Sequence, residues 1–456
     1  MKQREKFGSR LGFILISAGC AIGLGNVYRF PIITGAYGGA LFVLVYLAFL
    51  LLLGIPVMCA ELSVGRASQR SIATSFEQLE KPGQKWHLMK YFGIAGNYLL
   101  MMCYTVIASW MLIYFFKYLQ GDILSVQGAD QLGALFGETV SNTGMQFLST
   151  YATIVLCFLV CSLGLQKGVE RITKVMMIAL FALIIGLAIY CCTLDGVGEG
   201  LKFYLVPSLD RLKDVNIGTV ISAAMGQSFF TLSVGIGSIA IFGSYIDKNR
   251  SLMGEAVTIT ALDTFIALAS GFIVFPACFT FAGGVNAEAS SVGATFLFTT
   301  LSSIFNSMPG GRIFGILFFL FMVFAAYSTV IAVFENIMSF WIERTNLSRP
   351  VIALINVGLM MVLTVPAILS LGPWSGFTIG GLAIIDLEDF AVSNLFLPIG
   401  SLLYVVFCTT RYGWGWKNFY AEVNTGNGLK FPRWIRPYMT FVLPVIILVL
   451  LVISVL

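Results

Sequence analysis

Eleven apolar runs, each long enough to cross a bilayer core of about 30 Å, leave this chain almost no choice of architecture. They occupy residues 11–37, 41–64, 92–119, 147–165, 175–194, 217–245, 258–282, 313–341, 351–371, 383–409 and 438–456. Hydrocarbon offers the backbone no hydrogen-bond partners, so each run must satisfy its own amides and carbonyls as a helix. The expectation is an all-α polytopic membrane protein. Only 11% of the residues are charged, against about 25% in soluble domains. No long linker or low-complexity tract divides the chain, so a single domain over 1–456 is expected.

Lysine and arginine crowd onto one side of these runs. Lys2, Arg4, Lys6 and Arg10 precede the first, Arg66 to Lys90 connect the second and third, and Lys167, Arg171 and Lys174 lie before the fifth. Lys248, Arg250, Arg344, Arg349, Arg411, Lys417, Lys430, Arg433 and Arg436 fall on the same side. The positive-inside rule makes that side cytoplasmic. It gives a multi-pass protein of the plasma membrane with its N-terminus cytoplasmic and its C-terminus extracellular. The net charge of +5 is then a topology signal and does not point to nucleic acid. Nine cysteines fall almost wholly inside apolar runs, and His87 is the sole histidine. Zinc chemistry and a histidine-based triad are set aside, and no enzyme is expected.

The first run contains "GCAIGLGNVYRFP", residues 19–31, with three glycines, an asparagine, an arginine and a proline at membrane depth. Glycine costs a helix roughly 1 kcal/mol against alanine and proline about 3. A central charge costs at least about 2.5 kcal/mol. The motif has an echo: "GLGN" at 23–26 in the first run and "GIGS" at 235–238 in the sixth. The two lie five runs apart, an odd number, so the second enters the membrane in the opposite sense. Paired interruptions in corresponding helices of two inverted halves mark the substrate site of a secondary transporter. Each break frees backbone groups to face ligands near the midplane.

"RLGFILISAGCAIGLGNVYRFP", "GQSFFTLSVGIGS", "FAAYSTVIAVFE" and "DLEDF" together resemble the neurotransmitter:sodium symporter family, and the eleven spans resemble its bacterial branch. The resemblance implies the LeuT fold: a 5+5 inverted repeat with broken helices 1 and 6, plus an eleventh helix. The first repeat would cover 1–194 (helices 1–5), the second 217–409 (helices 6–10), and helix 11 would be 438–456. It also implies sodium-coupled symport of hydrophobic and aromatic L-amino acids by alternating access, with two sodium ions.

Residue by residue, the resemblance places a first sodium site at the Ala21 carbonyl, Asn26, Thr231 and Asp263, completed by the substrate carboxylate. It places a second at the carbonyls of Gly19, Ile22 and Ala325 with the hydroxyls of Ser328 and Thr329. Oxygen donors of these kinds suit a hard cation. The substrate carboxylate would meet the Leu24 and Gly25 amides and the Tyr104 hydroxyl. Its ammonium would meet carbonyls around Cys20, Ala21, Phe230, Thr231 and Ser233. The side-chain pocket would be Leu24, Leu100, Tyr104, Phe230, Ile236, Thr329 and Val333. Relatives that carry monoamines have an aspartate at the position of Gly23, so glycine argues for a whole amino acid. Arg29 and Asp389 would close the outside as an ion pair above Tyr104 and Phe230. Arg4 and Glu343 would pair inside, supported by Tyr245. Glu61 receives no role.

The chain departs from the family pattern at Tyr28, where a tryptophan is usual, at Ile178, where a proline is usual, and at Cys20 in place of an asparagine. Asp263 stands where the prototype has a neutral asparagine, and Ala267 where it has a carboxylate. One carboxylate would thus both bind sodium and balance its charge, which implies independence from chloride. A channel on the same helices needs a continuous polar path, and a substrate sensor would use the same fold. Saturable sodium-driven uptake separates these readings.

Overall fold

The computed structural model describes residues 9–126, 128–194, 197–212, 215–281 and 296–455. Among the described residues nine helices are long and apolar enough to cross a membrane, a bent pair at the first run makes a tenth, and the sixth run appears as two shorter helices; no β-strand occurs among these residues beyond two isolated bridges. Span α1 is the pair Arg10–Ala21 and Gly25–Ala36, bent by 55°. Unbroken spans follow: α2 (Ala40–Ser68), α3 (Trp86–Gln120), α4 (Thr143–Ser162) and α5 (Leu165–Cys192). Span α6 is a second interrupted pair, Ile217–Leu232 and Ser238–Gly243. After it come α7 (Leu252–Phe281), α8 (Gly311–Arg344), α9 (Arg349–Ser370), α10 (Ile384–Thr409) and α11 (Arg433–Ile453). The most apolar stretch of α8 is 78% buried and that of α11 only 22%. Span α8 is therefore central, and α11 presents most of its surface outward.

Each break follows from local chemistry. In α1 the helix ends at Ala21, and Ile22 turns extended (φ −69°, ψ 101°) while its amide still donates to the Ala18 carbonyl at 2.6 Å. A widened turn over Gly25–Arg29 restarts it, and Pro31 sits in the first turn of the following α-helix, where its missing donor costs nothing. In α6, Ser233 is left-handed (φ 51°), and Gly235 (φ 109°) and Gly237 (φ 84°) continue a path that few L side chains adopt. A Cβ on Gly235 would also lie 2.3 Å from the Leu397 carbonyl oxygen, so α10 passes against the bare backbone.

Span α5 differs from the sequence expectation. It begins at Leu165 rather than near 175, and helix carries Lys167, Arg171 and Lys174. Charged residues ended the apolar run, but a helix end at an interface tolerates them because long side chains reach water. The residue at the unusual position, Ile178, lies in an uninterrupted α-helix over Arg171–Cys192 and is 53% exposed on its outer face. The connection between α3 and α4 contains a helix of its own, Ala129–Ser141. Of the connection from 283 to 312, residues 283–295 lie outside the described residues.

Candidate functional site

The two breaks face one another across a fully buried carboxylate. Asp263 of α7 receives Asn26 Nδ2 on Oδ1 at 2.7 Å and Thr231 Oγ1 on Oδ2 at 2.9 Å. Asn26 Nδ2 also lies 3.0 Å from both the Asp263 carbonyl and Thr231 Oγ1, and Asn26 Oδ1 accepts the Gly23 amide at 3.1 Å. Ser270 donates to the Asn26 carbonyl (2.9 Å) and Gln227 to the Gly25 carbonyl (2.8 Å), fixing the restarted helix. Among the described residues no lysine, arginine or histidine pairs with Asp263. A carboxylate held in an apolar interior by neutral donors alone lacks a compensating charge. The Asp263 carboxylate and Thr231 Oγ1 supply hard oxygen donors that suit a small cation, with Asn26 Nδ2 turned toward them and Asn26 Oδ1 toward the Gly23 amide. Three of the four protein ligands expected for the first sodium site are thus brought together, and the fourth, Ala21, lines the adjoining cavity.

A second oxygen cluster lies where α8 crosses the end of the first half of α1. Thr329 Oγ1 is 3.2 Å from the carbonyls of Gly19 and Ile22 and 3.4 Å from that of Ala325, and Ser328 Oγ donates to Ala325 at 2.9 Å. A hydroxyl has one hydrogen to donate. Three carbonyls around Thr329 therefore leave surplus acceptor oxygens facing one point, with no formal charge among them. This is the expected second set, and it fits a monovalent cation by donor chemistry.

Between the two clusters lies a small cavity of about 20 Å³. Ala21, Gly23, Gly25, Leu100, Tyr104, Phe230, Ser233, Thr329 and Leu397 line it. The Leu24 amide donates to the Tyr104 hydroxyl at 3.1 Å, and Ser233 donates to the Cys20 carbonyl at 3.3 Å. These polar groups sit at the helix breaks, and the remaining wall is aliphatic and aromatic. A Cβ on Gly23 would stand 2.5 Å from the Tyr104 hydroxyl and 2.7 Å from Thr329 Oγ1, so no side chain fits there unless both move.

Of the side chains expected around the pocket, Leu100, Tyr104, Phe230 and Thr329 line the cavity, whereas Leu24, Ile236 and Val333 are buried and do not. Ile236 Cγ2 lies 2.8 Å from where a Gly96 side chain would begin, so this residue packs behind the wall against α3. Leu397 of α10 lines the cavity instead, and the sequence reading of α10 stopped at "DLEDF". The available signal was Pro398, which removes a backbone donor in mid-span.

The outer gate also differs. Arg29 and Asp389 form no direct ion pair; the Arg29 guanidinium lies over the Phe230 ring, 4.4 Å from its centroid, and Asp389 accepts from Ser393 at 3.4 Å. A planar guanidinium stacks well on an aromatic face, so the cation covers the cavity's phenylalanine in place of pairing across it. At the inner end, Arg4 lies outside the described residues. Glu343 accepts the Ser71 amide at 2.7 Å and the Thr74 hydroxyl at 2.8 Å. Tyr245 bonds Glu335 (3.1 Å) and Ser339 (3.0 Å), two turns and one turn before Glu343 along α8.

Two further residues hold the site and were missed. Fully buried Glu61 accepts the amides of Gly235 (2.7 Å), Ile239 (3.0 Å) and Ala240 (3.2 Å), satisfying the exposed start of the second half of α6. Asn97 of α3 donates to the carbonyls of Gly93 (2.7 Å) and Ile236 (2.8 Å) and accepts from Asn336 of α8 at 3.0 Å.

The model of the sodium:neurotransmitter symporter family matches residues 4–127 and 127–456. The chain is 32% identical to the uncharacterized sodium-dependent transporter YhdH of Bacillus subtilis (strain 168), covering 97% of this chain and 96% of that one. It is 31% identical to the uncharacterized sodium-dependent transporter MJ1319 of Methanocaldococcus jannaschii, covering 98% and 89%. Its structure is similar to the crystal structure of MhsT in complex with L-phenylalanine, with a TM-score of 0.87, 36% identity and complete coverage of both chains. The helical architecture is therefore the LeuT fold shared with that structure.

Proposed function

Since the chain belongs to the sodium:neurotransmitter symporter family, a family of sodium-coupled transporters, we propose that it carries hydrophobic and aromatic L-amino acids across the plasma membrane with two sodium ions. The observation that carries this reading is the small, largely apolar cavity between the two helix breaks, flanked by the Asp263 cluster and the Thr329 cluster. The Leu24 amide and the Tyr104 hydroxyl at the break in α1 suit a carboxylate, the carbonyls near Cys20 suit an ammonium, and Leu100, Phe230 and Leu397 suit an apolar side chain. L-Phenylalanine bound to MhsT supports the same substrate class.

The first cation would sit among Ala21, Asn26, Thr231 and Asp263, and the second among Gly19, Ile22, Ala325, Ser328 and Thr329. Asp263 supplies the negative charge at the first site, so transport is independent of chloride. The basic ends of the spans face the cytoplasm, with the N-terminus inside and the C-terminus outside, and access alternates between inverted repeats at 1–194 and 217–409. Two sodium ions with one zwitterion move two charges. At about 2.3 kcal/mol per charge per 100 mV, this supports a roughly two-thousandfold amino-acid gradient before any sodium gradient is counted.

Uptake by proteoliposomes from a panel of amino acids tests the reading. Saturable, sodium-dependent accumulation of phenylalanine, leucine or tryptophan, steepened by an inside-negative potential, is the expected result. Uptake undiminished when choline replaces sodium overturns the mechanism, and preference for charged or monoamine substrates overturns the substrate class.

A further inference from the structure

The connection between α10 and α11 carries a charge imbalance that transport does not use. Residues 410–440 contain Arg411, Lys417, Lys430, Arg433 and Arg436 but a single carboxylate, Glu422. That carboxylate is already committed: Arg66, fully buried at the end of α2, donates to Glu422 Oε1 at 2.6 Å and to the Arg250 carbonyl at 2.6 Å. Among the described residues, none of the five basic side chains pairs with a carboxylate.

Three of the five are related through Tyr420 and the first turn of α11. The Arg433 guanidinium lies over Tyr420, 5.7 Å from the ring centroid. Lys417 is three residues before Tyr420 on the helix Trp416–Val423, hence on the same face. Arg436 follows Arg433 within the next turn, and Lys417, Arg433 and Arg436 are all exposed. Between the two arginines Trp434 is 75% exposed. Its position continues a stripe of α11 at Phe441, Val445, Leu448 and Val452, all exposed, which faces hydrocarbon in any span of this kind. Tyr438 pins this end of α11 to α2 by donating to the Leu52 carbonyl at 2.7 Å. Tryptophan is favoured at the water–lipid boundary, and the cations on both sides of Trp434 in the sequence set the start of α11 at headgroup level.

We propose that Lys417, Arg433 and Arg436 form a binding site for the headgroup of an anionic phospholipid, whose acyl chains lie along Trp434 and the outward face of α11. The guanidinium groups take phosphate oxygens in forked hydrogen bonds, and Lys417 supplies a point charge. The occupant is a bilayer lipid, because the apolar stripe continues from the cations along the span, and a free phosphate would leave the indole and that stripe unused.

Reconstitution into vesicles of brominated phosphatidylcholine mixed with phosphatidylglycerol provides the test, read as the quenching that is lost in the Trp434→Phe variant. Phosphatidylglycerol should displace the brominated lipid from Trp434 in preference to plain phosphatidylcholine. The preference should fall by about fivefold for each of K417Q, R433Q and R436Q at low salt, and inorganic phosphate should not compete. Quenching in brominated phosphatidylcholine alone reports that each variant is folded and inserted. Equal displacement by both lipids in the wild type, a preference unchanged in the triple variant, or relief by inorganic phosphate overturns the proposal.

Discussion

Replacing Asp263 with asparagine removes the only formal charge in the first oxygen cluster while leaving its size unchanged. Two unit charges 4 Å apart at an effective dielectric constant of 20 interact by about 4 kcal/mol. The amide keeps one ligand oxygen, and burying a neutral group costs less than burying a carboxylate, so the net loss of sodium binding is about 2–3 kcal/mol. That is a roughly 30- to 150-fold weaker apparent sodium affinity. The fold should survive: the Thr231 hydroxyl, which donates to Asp263 at 2.9 Å, can turn to accept from an amide. The assay is a sodium titration of phenylalanine binding to purified protein, with gluconate as the only anion and then with chloride. Wild-type binding should not depend on the anion, whereas Asp263→Asn should regain part of its affinity in high chloride. A sodium affinity changed less than threefold by the substitution refutes the placement of the charge. So does a wild type that fails in gluconate.

Gly23→Ala should weaken substrate binding roughly tenfold or more, since its methyl group would stand 2.5 Å from the Tyr104 hydroxyl and 2.7 Å from Thr329 Oγ1 and such overpacking costs about 1–3 kcal/mol; affinity within twofold of wild type in the same titration contradicts the cavity geometry. Ile178→Pro should raise turnover in proteoliposomes several-fold while leaving binding nearly unchanged. Proline removes an amide donor from the middle of α5, and the side chain it replaces is 53% exposed, so opening of the cytoplasmic half becomes easier without loss of packing; unchanged or slower turnover sinks this expectation.

The breaks in α1 and α6 were legible because the glycine pair recurs five spans apart and the first copy stands beside Asn26, Arg29 and Pro31, while Asp263, Ser328 and Thr329 came from the resemblance to the family. What stayed hidden depends on rotation and distance. Glu61 reads as a lone intramembrane acid, since its partners are backbone amides some 174 to 179 residues away and amides carry no sequence signature. Ile236 and Val333 sit in the right motifs, but a helix turned by a fraction of a residue carries a side chain from the cavity to the wall behind it. Arg29 stacking on Phe230 in preference to pairing with Asp389 is likewise a choice among rotamers. The early start of α5 was missed because the hydropathy of a run stops at its charges while the helix does not.

Thr329 belongs to two places at once. Its hydroxyl lies among the carbonyls of Gly19, Ile22 and Ala325, and the same side chain forms part of the cavity wall beside Gly23. A cation drawing on that oxygen fixes the hydroxyl's orientation, and a molecule filling the cavity fixes the wall from the other side. Neither ligand can then bind without altering the free energy of the other, and by linkage the two effects are equal. If sodium at the second cluster tightens the amino acid by some factor, the amino acid must tighten that sodium by the same factor, and a single side chain sets how large it is.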